Sequence, residues 1–192
     1  GKPIDIFTQL LEDYTIENIY TNHDYEPYAK KRDSHIETLL GEHNVNFKTY
    51  KDQVVFEKDD VVKNDGLPYL VYTPYMKRWK ATFNTVDIEY YASEDLLDNL
   101  ISDIPIQYLE LSGIGFYASK QNIKPYTVTP KLIQTYETTR NFPAKDSTSR
   151  LGPHLRFGTV SIRNMIKKAI AETNEVFWQE LIWREFFMQI LW

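Results

Sequence analysis

Apolar residues recur at three- and four-residue steps near both ends of this chain, and between them they form short runs. Residues 3–13 place Ile4, Phe7, Leu10 and Leu11 on one stripe, which predicts an amphipathic helix. "NIYTN" (18–22) predicts a short strand, and the charged run 25–44 predicts a helix ending at Gly41 or Asn44. "NFKTY" (46–50) and "QVVFE" (53–57) predict two further strands. Helix, strand, helix, strand is the rhythm of a parallel α/β sheet with right-handed crossovers. So few strands make a thin sheet, the latter half of a larger one.

"GLPYLVYTPYMKRWKATF" (66–83) opens with a turn and predicts a helix from Thr73, with the threonine hydroxyl as cap and Pro74 at the first helical position. Residues 84–130 lose periodicity and carry Pro105, Pro125, Pro130, many acids and an "SGIGF" turn. They predict a long connector with one short helix near 93–101. From Pro130 onward the pattern is helical: 130–140, then 154–158 closed by Gly158, then 160–173 capped by Ser161, then 174–192. The fold class expected is therefore α/β followed by an all-α segment, divided as 1–83, 84–129 and 130–192.

Composition narrows the classes. The chain has 192 residues, 42% of them hydrophobic, which is enough for a packed core. Net charge is −5, which argues against a uniformly basic nucleic-acid binder and leaves room for a local basic face. There is no cysteine, so disulfides, thiolate metal sites and cysteine nucleophiles are excluded, and a cytoplasmic home is weakly favoured. No apolar run reaches the roughly 20 residues of a bilayer span, so no membrane is expected. The chain opens inside a helix pattern without an initiator Met and closes on an apolar helix ending at Trp192. That predicts a piece of something longer, whose helix 174–192 needs further partners.

Two stretches carry candidate chemistry. In the last helix Phe177, Glu180, Trp183 (or Arg184) and Phe187 share a face, and Glu180 and Arg184 are spaced to pair. One reading is a buried helix with a structural ion pair. The other is a carboxylate, an indole and a guanidinium converging on a flat, hydrogen-bonding ligand. The second stretch, "DSTSRLGPHLRFG" (146–158), gathers hydroxyls, arginines and free backbone N–H groups before a helix. It reads either as capping by Thr148 or Ser149 or as an anion cradle. Arg140, Arg150, Arg156 and Arg163 would give this half a local positive face. His23, His35, His43 and His154 show no metal spacing, and no metal site is expected.

Four segments go further: "YTNHDYEPYAKKRD", "GLPYLVYTPYMKRWK", "YETTRNFPAKDSTSRLGPHLRFGTVSIR" and "ELIWREFFMQILW". In composition, order and spacing they resemble the DNA photolyase/cryptochrome flavoproteins, closest to the bacterial class I cyclobutane pyrimidine dimer photolyases. The resemblance implies a Rossmann-like α/β antenna domain, a connector and the start of a helical FAD-binding domain. It implies FAD as cofactor, damaged DNA as partner and light-driven electron transfer as the chemistry. A dimer flipped from the duplex would be split by reduced, photoexcited flavin. Missing strands before residue 1 and missing helices after Trp192 would complete the two domains. The 192 residues alone are expected to bind FAD weakly or not at all, and the oligomeric state is left open.

Residue by residue, the resemblance places Tyr136 near the FAD phosphates. It assigns Thr148, Ser149, Arg150 and Leu151 to the phosphate cradle, with Gly152 where the family has Ser, which removes one hydroxyl. Arg184 takes the place of an arginine that contacts FAD, and Phe177 that of a stacking Trp. Glu180 and Trp183 match the pair lining the lesion pocket, the carboxyl bonding the thymine edge and the indole packing on the dimer. Glutamate there points to the cyclobutane class over the (6-4) class. Arg140 matches a residue on the DNA phosphate side. For a second antenna chromophore, Tyr28 and Ala29 stand where folate-using members have Asn-Glu, so folate and deazaflavin types both stay open. A cryptochrome photosensor, or a non-catalytic structural piece, would share much of this pattern.

Overall fold

A computed structural model describes residues 1–84, 86–88, 91–100 and 110–191. Helix α1 (Pro3–Asp13), strand β1 (Asn18–Asn22), helix α2 (Pro27–Glu42) and strand β2 (Asn46–Tyr50) follow in the expected order. β1 and β2 pair in parallel, with Asn18 opposite Asn46 and Asn22 opposite Tyr50. The crossover between them is α2, the connection a parallel pair requires. One face of the pair, through Ile19 and Phe47, packs on Ile36, Leu40 and Val45, with Phe7 and Leu11 of α1 closing the cluster. On the other face Tyr20 and Tyr50 are exposed and stack on one another at 6.2 Å.

Gly41 lies inside α2. The helix ends because Asn44 turns left-handed (φ 59), which returns the Val45 N–H to the Leu40 carbonyl at 2.9 Å. Asparagine tolerates that region better than most side chains, and the buried Val45 fastens the exit.

Helix α3 (Tyr72–Phe83) starts one residue earlier than Thr73. Val71 is the flanking residue and no side chain caps the end, so Thr73 is not the cap. Pro74 falls third in the helix, where its missing N–H still belongs to the unbonded first turn. Farther along, Ser93–Asn99 forms a 3-10 helix where a short helix is predicted, and Leu111–Ile114 forms a second. Pro105, and the end of the predicted helix at residue 101, lie outside the described residues.

Helices α4 (Pro130–Thr139), α5 (Leu151–Arg156), α6 (Ile162–Ile170) and α7 (Glu175–Leu191) complete the chain. Ser161 caps α6 as expected, accepting from the Asn164 N–H at 3.3 Å, and Thr129 caps α4 in the same way. The short helix predicted from His154 begins at Leu151, because Gly152 and Pro153 are accommodated within its first turn. Gly158 turns left-handed at φ 66 just beyond it. Trp192 lies outside the described residues.

The larger core joins early and late parts of the chain. Val55, Phe56, Val61, Tyr75 and Trp79 pack with Ile133, Leu151, Met165, Ile166, Phe177, Ile182 and Phe186. This explains why "QVVFE" forms no strand. Its apolar side chains are buried, but α6 and α7 supply its backbone partners. Arg163 donates to the Asp52 and Val54 carbonyls at 2.8 and 3.2 Å, and Arg184 donates to the Gln53 carbonyl at 2.7 Å. The Glu185 carboxylate accepts from the Val55 and Phe56 N–H groups at 2.8 and 2.9 Å. Gln189 donates to the Lys58 and Val61 carbonyls. Buried backbone groups need partners, and these side chains serve where a neighbouring strand otherwise would.

Candidate functional site

The outward face of α7 carries the first part of the site. Asn174 starts the helix, its side-chain oxygen accepting from the Val176 N–H at 2.9 Å. Glu180 is 38% exposed and pairs with Arg140, which stands at the C-terminal end of α4. The pairing of Glu180 with Arg184 does not form. Arg184 instead donates to the Gln53 carbonyl of the 52–61 loop and the Leu155 carbonyl of α5. Arg140 also lies 5.9 Å from the centre of the Tyr136 ring, and Tyr136 meets Phe177 edge-on at 5.1 Å. Phe177 is buried in the core at 2% exposure. Burial and the Glu180 carboxylate push the Tyr136 phenol up, and Arg140 pulls against them.

Trp183 lies one turn beyond Glu180. Its indole stacks flat on Tyr72, with centroids 3.6 Å apart and planes 9° apart. Phe187 stacks on the same indole, with centroids 5.5 Å apart and planes 26° apart, and is exposed. The Tyr72 hydroxyl donates to the Gln179 carbonyl at 2.9 Å, which holds the ring under the indole. Burial and Glu180 push its phenol up to about 12, so it stays a neutral donor. Glu180, Arg140, Tyr136, Trp183 and Tyr72 thus form one aromatic-floored face with an ion pair at its edge.

The 148–152 turn carries the second candidate set. Arg150 adopts φ 56 and ψ 24, a left-handed conformation that is uncommon without glycine. Its guanidinium is held by Asp146 at 2.6 Å, and the Asp146 carboxyl is lowered by that partner. The Ser149 carbonyl accepts from the Thr127 N–H, and the Ser149 hydroxyl accepts from the Leu151 N–H at 3.4 Å. Thr148 is exposed and caps nothing, while Leu151 is buried. A Cβ placed on Gly152 would meet no atom within 4 Å, so the backbone there is open to close approach. Exposed hydroxyls, open backbone and an arginine are donors suited to a phosphate group.

Arg184 is partly buried, and burial lowers its guanidinium from the usual arginine range while Glu185 opposes the shift. It opens on a cavity of about 560 Å³ shared with His23, Arg32, Arg156 and Arg163. Residues 148–152 do not line this cavity. Tyr28 is exposed and Ala29 is buried.

Two acids outside the candidate set are the more deeply placed ones. Glu57 accepts from His23 Nδ1 at 2.6 Å and from the Tyr25 hydroxyl at 2.8 Å. Glu185 is 2% exposed and takes the Trp79 indole N–H at 2.5 Å besides its two backbone donors. Burial pushes the Glu185 carboxyl up to about 7, against the pull of its three donors and Arg184. Its signal in the sequence is an acid on the same side of the helix as Leu181 and Ile182, within an apolar run. Among the described residues no helix is long and apolar enough to cross a membrane.

Comparison with known proteins supplies the remaining frame. The DNA photolyase family profile matches residues 1–93. The deoxyribodipyrimidine photo-lyase of Synechococcus sp. is 28% identical over 221 aligned residues, covering all of this chain and 45% of that protein. A bacterial class III photolyase from Agrobacterium tumefaciens superposes with a TM-score of 0.73 at 21% identity, over all of this chain and 44% of that one. An archaeal photolyase from Sulfolobus tokodaii, solved with two FAD molecules, superposes with a TM-score of 0.58 at 20% identity, covering 99% of this chain and 41% of that one. The chain thus spans less than half the length of each of these three relatives. The parallel α/β pair, the helical run that follows and these matches agree: the chain is similar to DNA photolyases along its whole length.

Proposed function

We propose that the whole protein is a deoxyribodipyrimidine photo-lyase, a light-dependent enzyme that splits cyclobutane pyrimidine dimers in DNA. The observation that carries this reading is the α7 face, where Glu180 and Trp183 sit side by side over Tyr72 with Arg140 at the rim. A carboxyl beside a flat apolar ring suits a flipped-out pyrimidine dimer. The indole covers its face and the carboxyl takes its polar edge. Arg140 lies where it can trade Glu180 for a DNA phosphate, a charge-assisted bond of the same kind. Class I is the proposed subtype, on the strength of Glu180.

In that whole, residues 1–83 are the latter half of an antenna domain, 84–129 a connector and 130–192 the start of a helical cofactor domain. FAD is the proposed cofactor, held by Tyr136, Thr148, Ser149, Arg150 and Gly152 together with groups outside this chain, with the buried Leu151 and Phe177 and the carbonyl-bound Arg184 backing that site from within. The open backbone at Gly152 and the exposed Thr148 support the phosphate end of that assignment. When bound, the flavin supplies the photoexcited electron. The residues of this chain bind and orient: Thr148 and the 150–152 backbone would hold phosphate, Glu180 would hydrogen-bond the thymine edge, and Trp183 would exclude water. Damaged DNA is the proposed partner, and the cytoplasm the proposed compartment.

The test is dimer loss. The whole protein, reduced and illuminated with blue light, should convert an oligonucleotide carrying one thymine dimer to the intact sequence, and Glu180→Ala should slow that conversion at least tenfold. A protein that binds flavin and senses light but leaves the dimer intact would refute the repair reading.

A further inference from the structure

Among the described residues Glu185 is the charged side chain buried at 2% exposure, and the proposed repair chemistry has no use for it. It projects from α7 on the side away from the candidate site. At about 100° per residue it is roughly 160° around the helix from Trp183 and roughly 140° from Glu180. Its donors come from two different elements. Val55 and Phe56 offer N–H groups from the loop, and Trp79 offers its indole N–H from α3.

Helix α3 makes a second contact with α7. Tyr72, two turns before Trp79 on the same face of α3, stacks on Trp183. The two helices are therefore pinned at two points, one on each side of α7. Arg184 and Gln189 grip the same loop through the Gln53, Lys58 and Val61 carbonyls. Turning α7 about its axis would pull Glu185 off its three donors and slide Trp183 off Tyr72. A turn of about 15° moves a side-chain tip some 5 Å from the axis by more than 1 Å. A misplacement of that size can cost a reaction ~100-fold.

We propose that Glu185 is a positioning residue: by tying α7 to the Val55 and Phe56 amides and to the Trp79 indole, it sets the rotation of α7 and so the aim of Glu180 and Trp183. The inference rests on the reading of that pair as the dimer-contacting one.

The test uses the whole protein, in the dark, well below its unfolding temperature. Glu185→Gln keeps the shape but turns an NH2 group toward one of three N–H donors. It is compared with Ile36→Val, which loosens the separate α2 core without touching α7. Three quantities are read: the thermal midpoint, the affinity for an oligonucleotide with one thymine dimer against the undamaged oligonucleotide, and the near-ultraviolet circular dichroism removed by Trp183→Phe. Glu185→Gln is expected to weaken dimer binding at least fivefold, to leave undamaged DNA unchanged and to diminish the Trp183 signal. Ile36→Val should change only the midpoint. Wild-type dimer affinity and an intact Trp183 signal in Glu185→Gln, beside a lowered midpoint, would reduce Glu185 to a stabilising group and overturn the proposal. Should Glu185→Gln fail to fold, Trp79→Phe removes one donor and is held to the same outcomes. Should the wild-type protein fail to distinguish dimer from undamaged DNA, the repair reading falls, and the Trp183 signal still decides the positioning claim.

Discussion

The Trp183 indole lies flat on the Tyr72 ring with 3.6 Å between centroids, so α7 and α3 meet through two parallel aromatic planes. The contact joins residues separated by most of the chain, and it builds the floor of the proposed lesion face.

Tyr72→Ala removes that floor. An aromatic pair contributes about 0.5–1.5 kcal/mol beyond the area it buries, so the loss should exceed 1.5 kcal/mol once burial is included. Tyr72→Phe keeps the stack and loses the bond to the Gln179 carbonyl, costing about 1 kcal/mol. Urea unfolding measures both, and equal losses would show that the stack adds nothing.

The Arg140–Glu180 pair is expected to contribute little to stability. Its side chains are 32% and 38% exposed, and pairs this open to water couple by about 0.2–1 kcal/mol. A double-mutant cycle with Arg140→Ala and Glu180→Ala gives the coupling, and 0.5 M salt should reduce it. A coupling above about 2 kcal/mol would mean that the pair is structural and not free to exchange partners.

Glu185 predicts a pH dependence with a definite sign. Its folded carboxyl is raised to about 7 from an ordinary 4.5, so the folded state binds the proton more tightly than the unfolded one. Its contribution to stability is full below about pH 4.5 and is lost as pH rises through about 7. The groups around it are Arg184, which favours the ionised form, the neutral Tyr25 and Tyr75, and the Trp79 indole. The wild-type protein should lose up to about 3 kcal/mol across that window from this group. Glu185→Gln should lack this component, and parallel curves for the two proteins would refute the assignment.

The 53–57 segment should respond to substitutions far away in sequence. Arg163→Ala removes the donor to the Asp52 and Val54 carbonyls and should cost about 1.5–3 kcal/mol, as bonds from a charged donor do. Hydrogen exchange at Val55 and Phe56 should quicken in Glu185→Gln, because those amides lose a charged acceptor. Exchange at the β1–β2 ladder should not change.

Local signals in the sequence were legible where neighbours in the chain decide the outcome. The stripe of α1 and the Ser161 cap need only residues a few positions apart, and the β1–α2–β2 unit follows from the order of its segments. The candidate face was legible in part. Glu180 and Trp183 share a side of α7 by helical spacing alone, but their partners Arg140 and Tyr72 could not be read from it. The Glu180–Arg184 pairing was a sound local guess. It failed because the Gln53 and Leu155 carbonyls, brought up by the fold, take the arginine.

The amino-acid sequence by itself determined where the longer helices lie, the strand–helix–strand order around α2 and the likeness to photolyases, because periodicity, caps and residue order can be read along the chain. Only the tertiary structure decided that "QVVFE" is a clasped loop and not a strand, and that the buried acid of α7 is Glu185. Both turn on hydrogen bonds between groups about 130 residues apart, and no local pattern records which distant donor will meet which acceptor.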